Sequence, residues 1–511
     1  MTESEYDALT SACDALLLSP DADADRVALA WLHVRNEHPH ILEPYLAVFG
    51  RQPIRQRART WLRYRVSAAW VLLQSALRPI DDLVDDSMPF AERADVLFLS
   101  HTVSPDVRAD APDFYFGTLA DELARRGLTS VTLLHNHYPE RDAQLRKALT
   151  RGGAAARILM PRWSTVAREW RNLSKARLAG RAVTRNVGAN DSAFTSVVAR
   201  NAAAHAANPA TLATRRVGDI VRRMCQRFRP RVLIATWEGH AWERIAFQAA
   251  RSVDPAIRCI GYQHTTLFER SHALRRALGK LYDADAILTI GDVNRALLVS
   301  APGLCGVPVT VYGSHRRHGQ TVSAPNPPSR CLVMPDGIED ECLILFDFAL
   351  AAARGMPEVR FRLRTHPYLP FDDLARRHPY LKRLPPNVEV SSARDISADF
   401  AECTWAVYRG SSASIHAVLM GVRPIYLARE GELPFDPLFA LETWRGRIQN
   451  VGELRAIIAA DRAADASNRR DEWHGARDFC DRYVVAPDPE VVYRLIGDAP
   501  ARAPTSTDNI S

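Results

Sequence analysis

The chain has 511 residues, of which 47% are hydrophobic and 24% charged, an ordinary globular balance that excludes a largely disordered or fibrous protein. At about 100–200 residues per domain, two to four domains are expected. Lys and Arg outnumber Asp and Glu by 66 to 59, which suits a phosphate-bearing ligand or an anionic membrane surface. Nucleic acid would suit that charge too, but no helix-turn-helix, zinc spacing or aromatic RNA-binding strand motif is present.

Residues 1–90 read as a helical N-terminal region, with apolar residues at helical spacing in Leu29–Val34 and Trp61–Trp70. The N-terminus carries no basic-then-apolar leader, and no run approaches about 18 uninterrupted apolar residues. A cytoplasmic protein without a membrane span is therefore expected. From Asp95 the pattern changes to short, continuously apolar runs, the mark of strands buried on both faces. These are Asp95–Ser100, Ser130–Leu134, Val232–Thr236, Arg258–Tyr262, Ala286–Ile290 and Pro308–Tyr312, with helical stretches between most of them. A Pro/Ser-rich break, Ser323–Ser329, separates a second series: Arg330–Met334, Val359–Leu363, Asn387–Val390, Trp405–Tyr408 and Arg423–Leu427. Strand–helix alternation of this kind predicts parallel sheets. The expected fold class is α/β, with two Rossmann-like domains facing a cleft: 91–322, 323–499 and a disordered tail at 500–511. Eight cysteines stand without Cys-x-x-Cys spacing, so reduced, buried thiols are expected.

Ligands bind at the carboxyl ends of parallel strands, so residues just past the strands are the candidates. In the second unit, Arg364-Thr-His-Pro367 follows one strand and Tyr408-Arg-Gly-Ser-Ser412 follows another. His366 and Pro367 with Arg364 form one candidate group; Gly410, Ser411 and Ser412 form the other. The glycine permits close backbone approach, and the serines offer hydroxyls beside the free amides of a helix start. His-Pro also occurs at His38-Pro39, but inside the helical region, so that copy is set aside. Asp336 and Arg409 are further cleft candidates, although Asp336-Gly337 could simply make a turn.

In the first unit, Thr236-Trp-Glu-Gly-His-Ala-Trp-Glu243 and Ile260-Gly-Tyr-Gln-His-Thr265 follow or close strands. Glu238 lies just past a strand end, where a carboxylate could take a hydroxyl proton or act as a nucleophile. Trp237 and Trp242 are expected to raise its pKa by desolvation. His264 is the rival base, and Gln263 a cleft neighbour. His135 and His137 flank Asn136 after a strand, without an evident third ligand for a metal. The acidic run Asp81–Asp86 reads as a solvated linker.

The His-Pro and Ser-Ser motifs resemble those of GT-B glycosyltransferases such as capsular Kdo transferases and bacterial sialyltransferases, over roughly residues 330–430. In those families His-Pro contacts the nucleotide and the serines hold its phosphate. Glu238-Gly239 is similar to the end of the sialyltransferases' acidic motif, with Trp237 in place of its first acid. The acid after one strand and the Gln-His pair after the next resemble the bacterial surface carbohydrate biosynthesis proteins, over roughly residues 230–430. The resemblance implies a glycosyltransferase of capsule or O-antigen synthesis, moving a Kdo-like or sialic-acid-like sugar from a CMP-sugar to a glycan acceptor. It implies catalysis by Glu238 or His264, nucleotide contacts from the second unit, and no metal or other cofactor. A polyol-phosphate transferase with a CDP-linked donor, or a non-catalytic scaffold of the same fold, are the alternatives. Finally, Arg157–Arg185 holds seven Arg and one Lys against Glu169, with Trp163, Val166, Trp170 and Leu173 at helical spacing. Such a stripe is first read as packing on the core of an ordinary surface helix, and a basic helix of this kind also suits an anionic membrane interface.

Overall fold

The computed structural model describes residues 1–51, 53–77, 90–102, 108, 110–137, 146, 149–185, 187, 192–316, 322, 325, 330–366 and 369–499. The acidic run Asp81–Asp86, most of the Ser323–Ser329 break, Pro367 and the tail 500–511 lie outside them.

The first sheet is built from β1 (Val96–His101), β2 (Ser130–His135), β3 (Ala155–Leu159), β4 (Val232–Thr236), β5 (Arg258–Gln263), β6 (Ala286–Thr289) and β7 (Val309–Val311). The second holds β8 (Arg330–Met334), β9 (Arg360–Leu363), β10 (Val388–Val390), β11 (Trp405–Tyr408), β12 (Arg423–Leu427) and β13 (Gly446–Ile448). Their orders are β3-β2-β1-β4-β5-β6-β7 and β10-β9-β8-β11-β12-β13, with every neighbouring pair parallel. Both sheets thus have the Rossmann order, reversing direction between β1 and β4 and between β8 and β11. The expected α/β class with two Rossmann-like units is the one observed.

Burial on both faces explains the apolar runs. Along β11, Trp405 and Val407 join one core cluster while Ala406 and Tyr408 join another. That second cluster also contains Val96 and Phe98 of β1, so a single apolar core spans both units.

The helices needed below are α1 (Glu3–Leu17), α2 (Ile54–Leu77), α3 (Val166–Arg185), α4 (Ala193–Ala204), α5 (Pro209–Phe228), α6 (Ala241–Arg251), α7 (Ala413–Leu419) and α8 (Pro489–Gly497). α1 opens with a capping box between Thr2 and Glu5 and packs on α4. The chain's last segment returns to the first unit. The Val485 N–H donates to the Ile290 carbonyl (2.9 Å) and the Asp488 N–H to the Tyr312 carbonyl (2.7 Å). α8 then rests against the helix Leu119–Arg125.

Two expectations change here. The stretch Leu29–Val34 holds a short 3₁₀ turn, Ala30–Leu32, with Trp31 buried. The basic stretch beginning at Arg157 is not one helix. Arg157 sits buried in β3, its guanidinium donating to the carbonyls of Arg108 and Ala111. Leu173 of α3 is core, packed near Ala68 and Leu212, whereas Val166 and Trp170 are exposed. Seven of the eight cysteines are buried and all are free thiols.

Candidate functional site

The carboxyl ends of both sheets open on one cleft of about 410 Å³. Glu238 and His264 reach it from beyond β4 and β5; Asp336, His366, Gly410, Ser411 and Ser412 reach it from beyond β8, β9 and β11. A third contributor is the loop Arg35–His38 of the N-terminal region. The second His-Pro copy, set aside above because it lies in a helical region, therefore belongs to the cleft. His38 Nε2 lies 2.9 Å from Asp336 Oδ2. Burial opposes protonation of His38, but the Asp336 hydrogen bond and charge outweigh it and hold its pKa above the ordinary value.

Gly410 adopts φ 63°, and a Cβ there would stand 2.6 Å from Phe435 and 2.7 Å from the His38 ring. Only glycine lets the N-terminal loop seat this closely. Ser412 stands at the start of α7, yet its side chain makes no capping hydrogen bond. The Ser411 hydroxyl accepts only a long one, 3.4 Å, from the Ala413 N–H. Ser412 is not spent on the helix and Ser411 is held only by that long bond, so both hydroxyls can meet a ligand. His366 packs its ring against Gly337 and is held below its usual pKa by burial.

On the opposite wall, Glu238 receives a hydrogen bond from Arg35 (2.8 Å) and one from His240 Nε2 (3.1 Å), and His264 Nε2 stands 3.7 Å from its Oε1. Burial alone would raise the Glu238 pKa. The His240 hydrogen bond and the charges of His264 and Arg35 win, and hold it well below the usual carboxylate range. The expected rise does not occur, because these partners outweigh desolvation, and Trp237 is not the group that desolvates the carboxylate. It is buried in the first unit's core, stacked on Phe247 with ring centroids 5.1 Å apart. Burial keeps His264 below its usual pKa, against the pull of Glu238, so the imidazole is neutral near pH 7. Glu243 braces the turn: its carboxylate accepts from the Glu238 N–H (2.9 and 3.0 Å) and the His240 N–H (2.8 Å). Burial and the Glu238 charge push Glu243 up to about 8. Two neighbouring carboxyls with pKa values driven apart are a usual feature of acid–base sites.

Three of the sequence candidates do not line the cleft. Arg364 is turned to Asp399 and to the carbonyls of Ala393 and Arg394. Arg409 is fully buried, pairing with Glu341 (2.7 Å) and Glu432 (2.5 Å) and stacking on Phe435. Gln263 is fully buried against Asn294 (2.8 Å) and the Thr265 carbonyl, where it shapes the loop carrying His264. Conversely Arg316, at the cleft wall over the Phe114 ring (4.4 Å), was not a candidate.

His135 and His137 join His101 in a cluster beside the cleft. His101 Nδ1 and His137 Nε2 are 3.0 Å apart, and His101 Nε2 is 3.1 Å from Thr236 Oγ1. Among the described residues no His, Cys, Asp and Glu group is arranged to hold a metal ion. Nor is any described helix long and apolar enough to cross a membrane.

No protein-family model and no curated protein matches the sequence, so the resemblances drawn from its motifs gain no support there. Among solved structures, the chain is similar to the glycotransferase of kitacinnamycin (15% identity, 79% of this chain, 100% of that one, TM-score 0.44). It is similar to the glycosyltransferase SnogD from Streptomyces nogalater (16%, 79%, 99%, TM-score 0.41). It is also similar to UDP-GlcNAc 2-epimerase from Methanocaldococcus jannaschii (9%, 79%, 99%, TM-score 0.42). Transferases and an epimerase occur side by side, so these likenesses select no reaction.

Proposed function

We propose that the protein is a glycosyltransferase of bacterial surface polysaccharide synthesis, working on the cytoplasmic side of the membrane. The donor is a CMP-linked acidic sugar of the Kdo or sialic-acid kind, and the acceptor a hydroxyl of a growing, lipid-linked glycan. One observation carries this reading: across a single cleft, a wall of hydroxyls and imidazole (Ser411, Ser412, His366) faces a carboxylate–imidazole pair (Glu238, His264). A cleft of about 410 Å³ is within the size that small-molecule sites have.

The chemistry follows from the charges. Neutral His264 takes the proton of the acceptor hydroxyl at Nε2, and the oxygen attacks the anomeric carbon. Glu238, held ionised 3.7 Å from that same Nε2, stabilises the imidazolium so formed by its charge. The bond from the anomeric carbon to the phosphate oxygen breaks, and CMP leaves with the electron pair. Its charge meets the serine hydroxyls and His38, whose raised pKa favours the cationic form. Arg316 offers the sugar carboxylate a cation. The reading requires no metal.

The test is a thermal-shift panel of CMP, CDP, UDP and GDP, since a ligand that binds only the native state raises its apparent stability. CMP is expected to stabilise the protein. Stabilisation by CDP alone would reassign it to polyol-phosphate transfer, and by UDP alone to a neutral-sugar donor. No response to any nucleotide would overturn the reading.

A further inference from the structure

Exposed apolar surface is concentrated on two helices. Among the described residues, fourteen large apolar side chains are exposed, and eight of them lie on α2 and α3. On α2 they are Leu62, Val66, Trp70, Leu73 and Leu77, between 47% and 66% exposed. Their spacing of four, four, three and four residues makes one continuous stripe along the helix. The opposite face of α2 is the packed one: Ala68 and Leu72 seat against Leu173 and Ala176 of α3. On α3, Val166, Trp170 and Leu178 are the exposed three. Scattered exposed leucines need no explanation, but a five-residue stripe beside a second such helix does.

The charge on these helices is as lopsided. α2 carries five arginines and no acid; α3 carries five arginines, one lysine and one acid. That acid, Glu169, is buried and paired with Arg216 at 2.9 Å, so it offsets nothing at the surface. Eleven cations against one acid, on 44 residues, exceed the net +7 of the whole chain.

We propose that the α2–α3 pair is a docking surface for an anionic lipid bilayer, with the α2 stripe entering the headgroup region and the flanking arginines meeting lipid phosphates. Apolar stripe, bordering cations and tryptophan are the three features an interfacial helix combines. A second copy of the chain is the poorer occupant: a two-fold contact sets the same patch against itself, arginines facing arginines. Nucleic acid is poorer too: of the five stripe residues only Trp70 offers a base a stacking surface, and the other four are aliphatic. The inference rests on the helix pair and not on the proposed reaction. It would hold for any chemistry in the cleft.

The experiment is co-sedimentation of the full-length protein with phosphatidylcholine vesicles, with and without phosphatidylglycerol, at low and high salt. The expected result is binding to the anionic vesicles only, weakened by salt. Leu62→Ser with Val66→Ser and Leu73→Ser should lower that binding by about tenfold or more while the melting temperature and the nucleotide response stay unchanged. Arg55→Gln with Arg59→Gln and Arg63→Gln keeps the stripe and should abolish the preference for anionic lipid. Wild type left in the supernatant with anionic vesicles would overturn the proposal, as would undiminished binding by the serine variant. A dimer that the serine variant dissociates, with vesicle binding untouched, would overturn it in favour of a self-interface.

Discussion

The two Rossmann-like units share a strand order yet treat charge in opposite ways. The second unit neutralises its own. Arg362 and Arg364 converge on buried Asp399, and Arg409 is closed between Glu341 and Glu432. What that unit presents to the cleft is mostly hydroxyl, glycine and a low-pKa histidine. The first unit instead leaves titratable groups facing each other at the strand ends: Glu238 against His240 and His264, His101 against His137. Internal neutralisation leaves Asp336, paired with His38, as the charge on a wall otherwise suited to holding a ligand through hydroxyls. Juxtaposed acids and bases at shifted pKa make a wall suited to moving a proton. Identical topology therefore does not imply an identical task, and the division can be broken from either side.

The largest effect is expected on the first wall. Glu238→Gln keeps shape and removes charge, and His264→Ala removes the base. Each should cut transfer by about 10²–10⁴-fold, the usual size of a general-base contribution, while CMP still stabilises the protein. Steady-state rates paired with thermal shifts measure both. Loss of nucleotide binding in either variant would show that the two walls do not divide the labour.

On the second wall the expected damage is to folding. Arg409→Ala leaves Glu341, 2% exposed, as an uncompensated buried charge. Breaking one partner of such a pair costs about 3–5 kcal/mol, to be read by urea unfolding. Ser411→Ala with Ser412→Ala should do the reverse. Stability is largely retained, because Ser412 makes no capping bond and Ser411 only the long one to the Ala413 N–H, while CMP affinity falls about tenfold, roughly the value of one net hydrogen bond to a charged group. A destabilised serine double variant with normal affinity would return both residues to a structural role.

Most of the fold was legible, because strands buried on both faces write themselves as unbroken apolar runs. Val232–Thr236, Arg330–Met334, Trp405–Tyr408 and Arg423–Leu427 fall where the sequence puts them. β3 was missed because Ala155–Leu159 carries Arg157 in its middle, tolerated only because two distant carbonyls receive its guanidinium. The site was legible in position but not in direction. Residues after strand ends reach the edge of the sheet, yet beyond the strand the alternation no longer holds: Arg409 turns inward to Glu341 and Glu432, and past Gly410, at φ 63°, Ser411 lines the cleft. His38 was illegible for another reason. Its place depends on the N-terminal loop crossing to Asp336, nearly three hundred residues away, and its one local trace is the glycine at 410 that makes room for it.

The smallest effect tests the first wall without touching Glu238 or His264. Burial, together with the neighbouring imidazoles, pushes His101 well below its usual value, and burial with nearby His137 and arginines pushes His135 down to about 3. Unfolded, each imidazole would titrate near 6.5. Above that pH both states are neutral and the cluster costs nothing. Below it the unfolded chain binds protons that the folded chain refuses, so stability falls as pH drops from about 6.5 toward 3. Each refused proton contributes a slope of up to about 1.4 kcal/mol per pH unit, less here because the rings touch solvent. Urea unfolding at pH 7 and pH 5 should show the loss. His135→Gln with His137→Gln should flatten it, since glutamine binds no proton in either state. An unchanged slope in that variant would mean that the cluster already protonates in the folded protein, and that the first wall does not hold its imidazoles neutral.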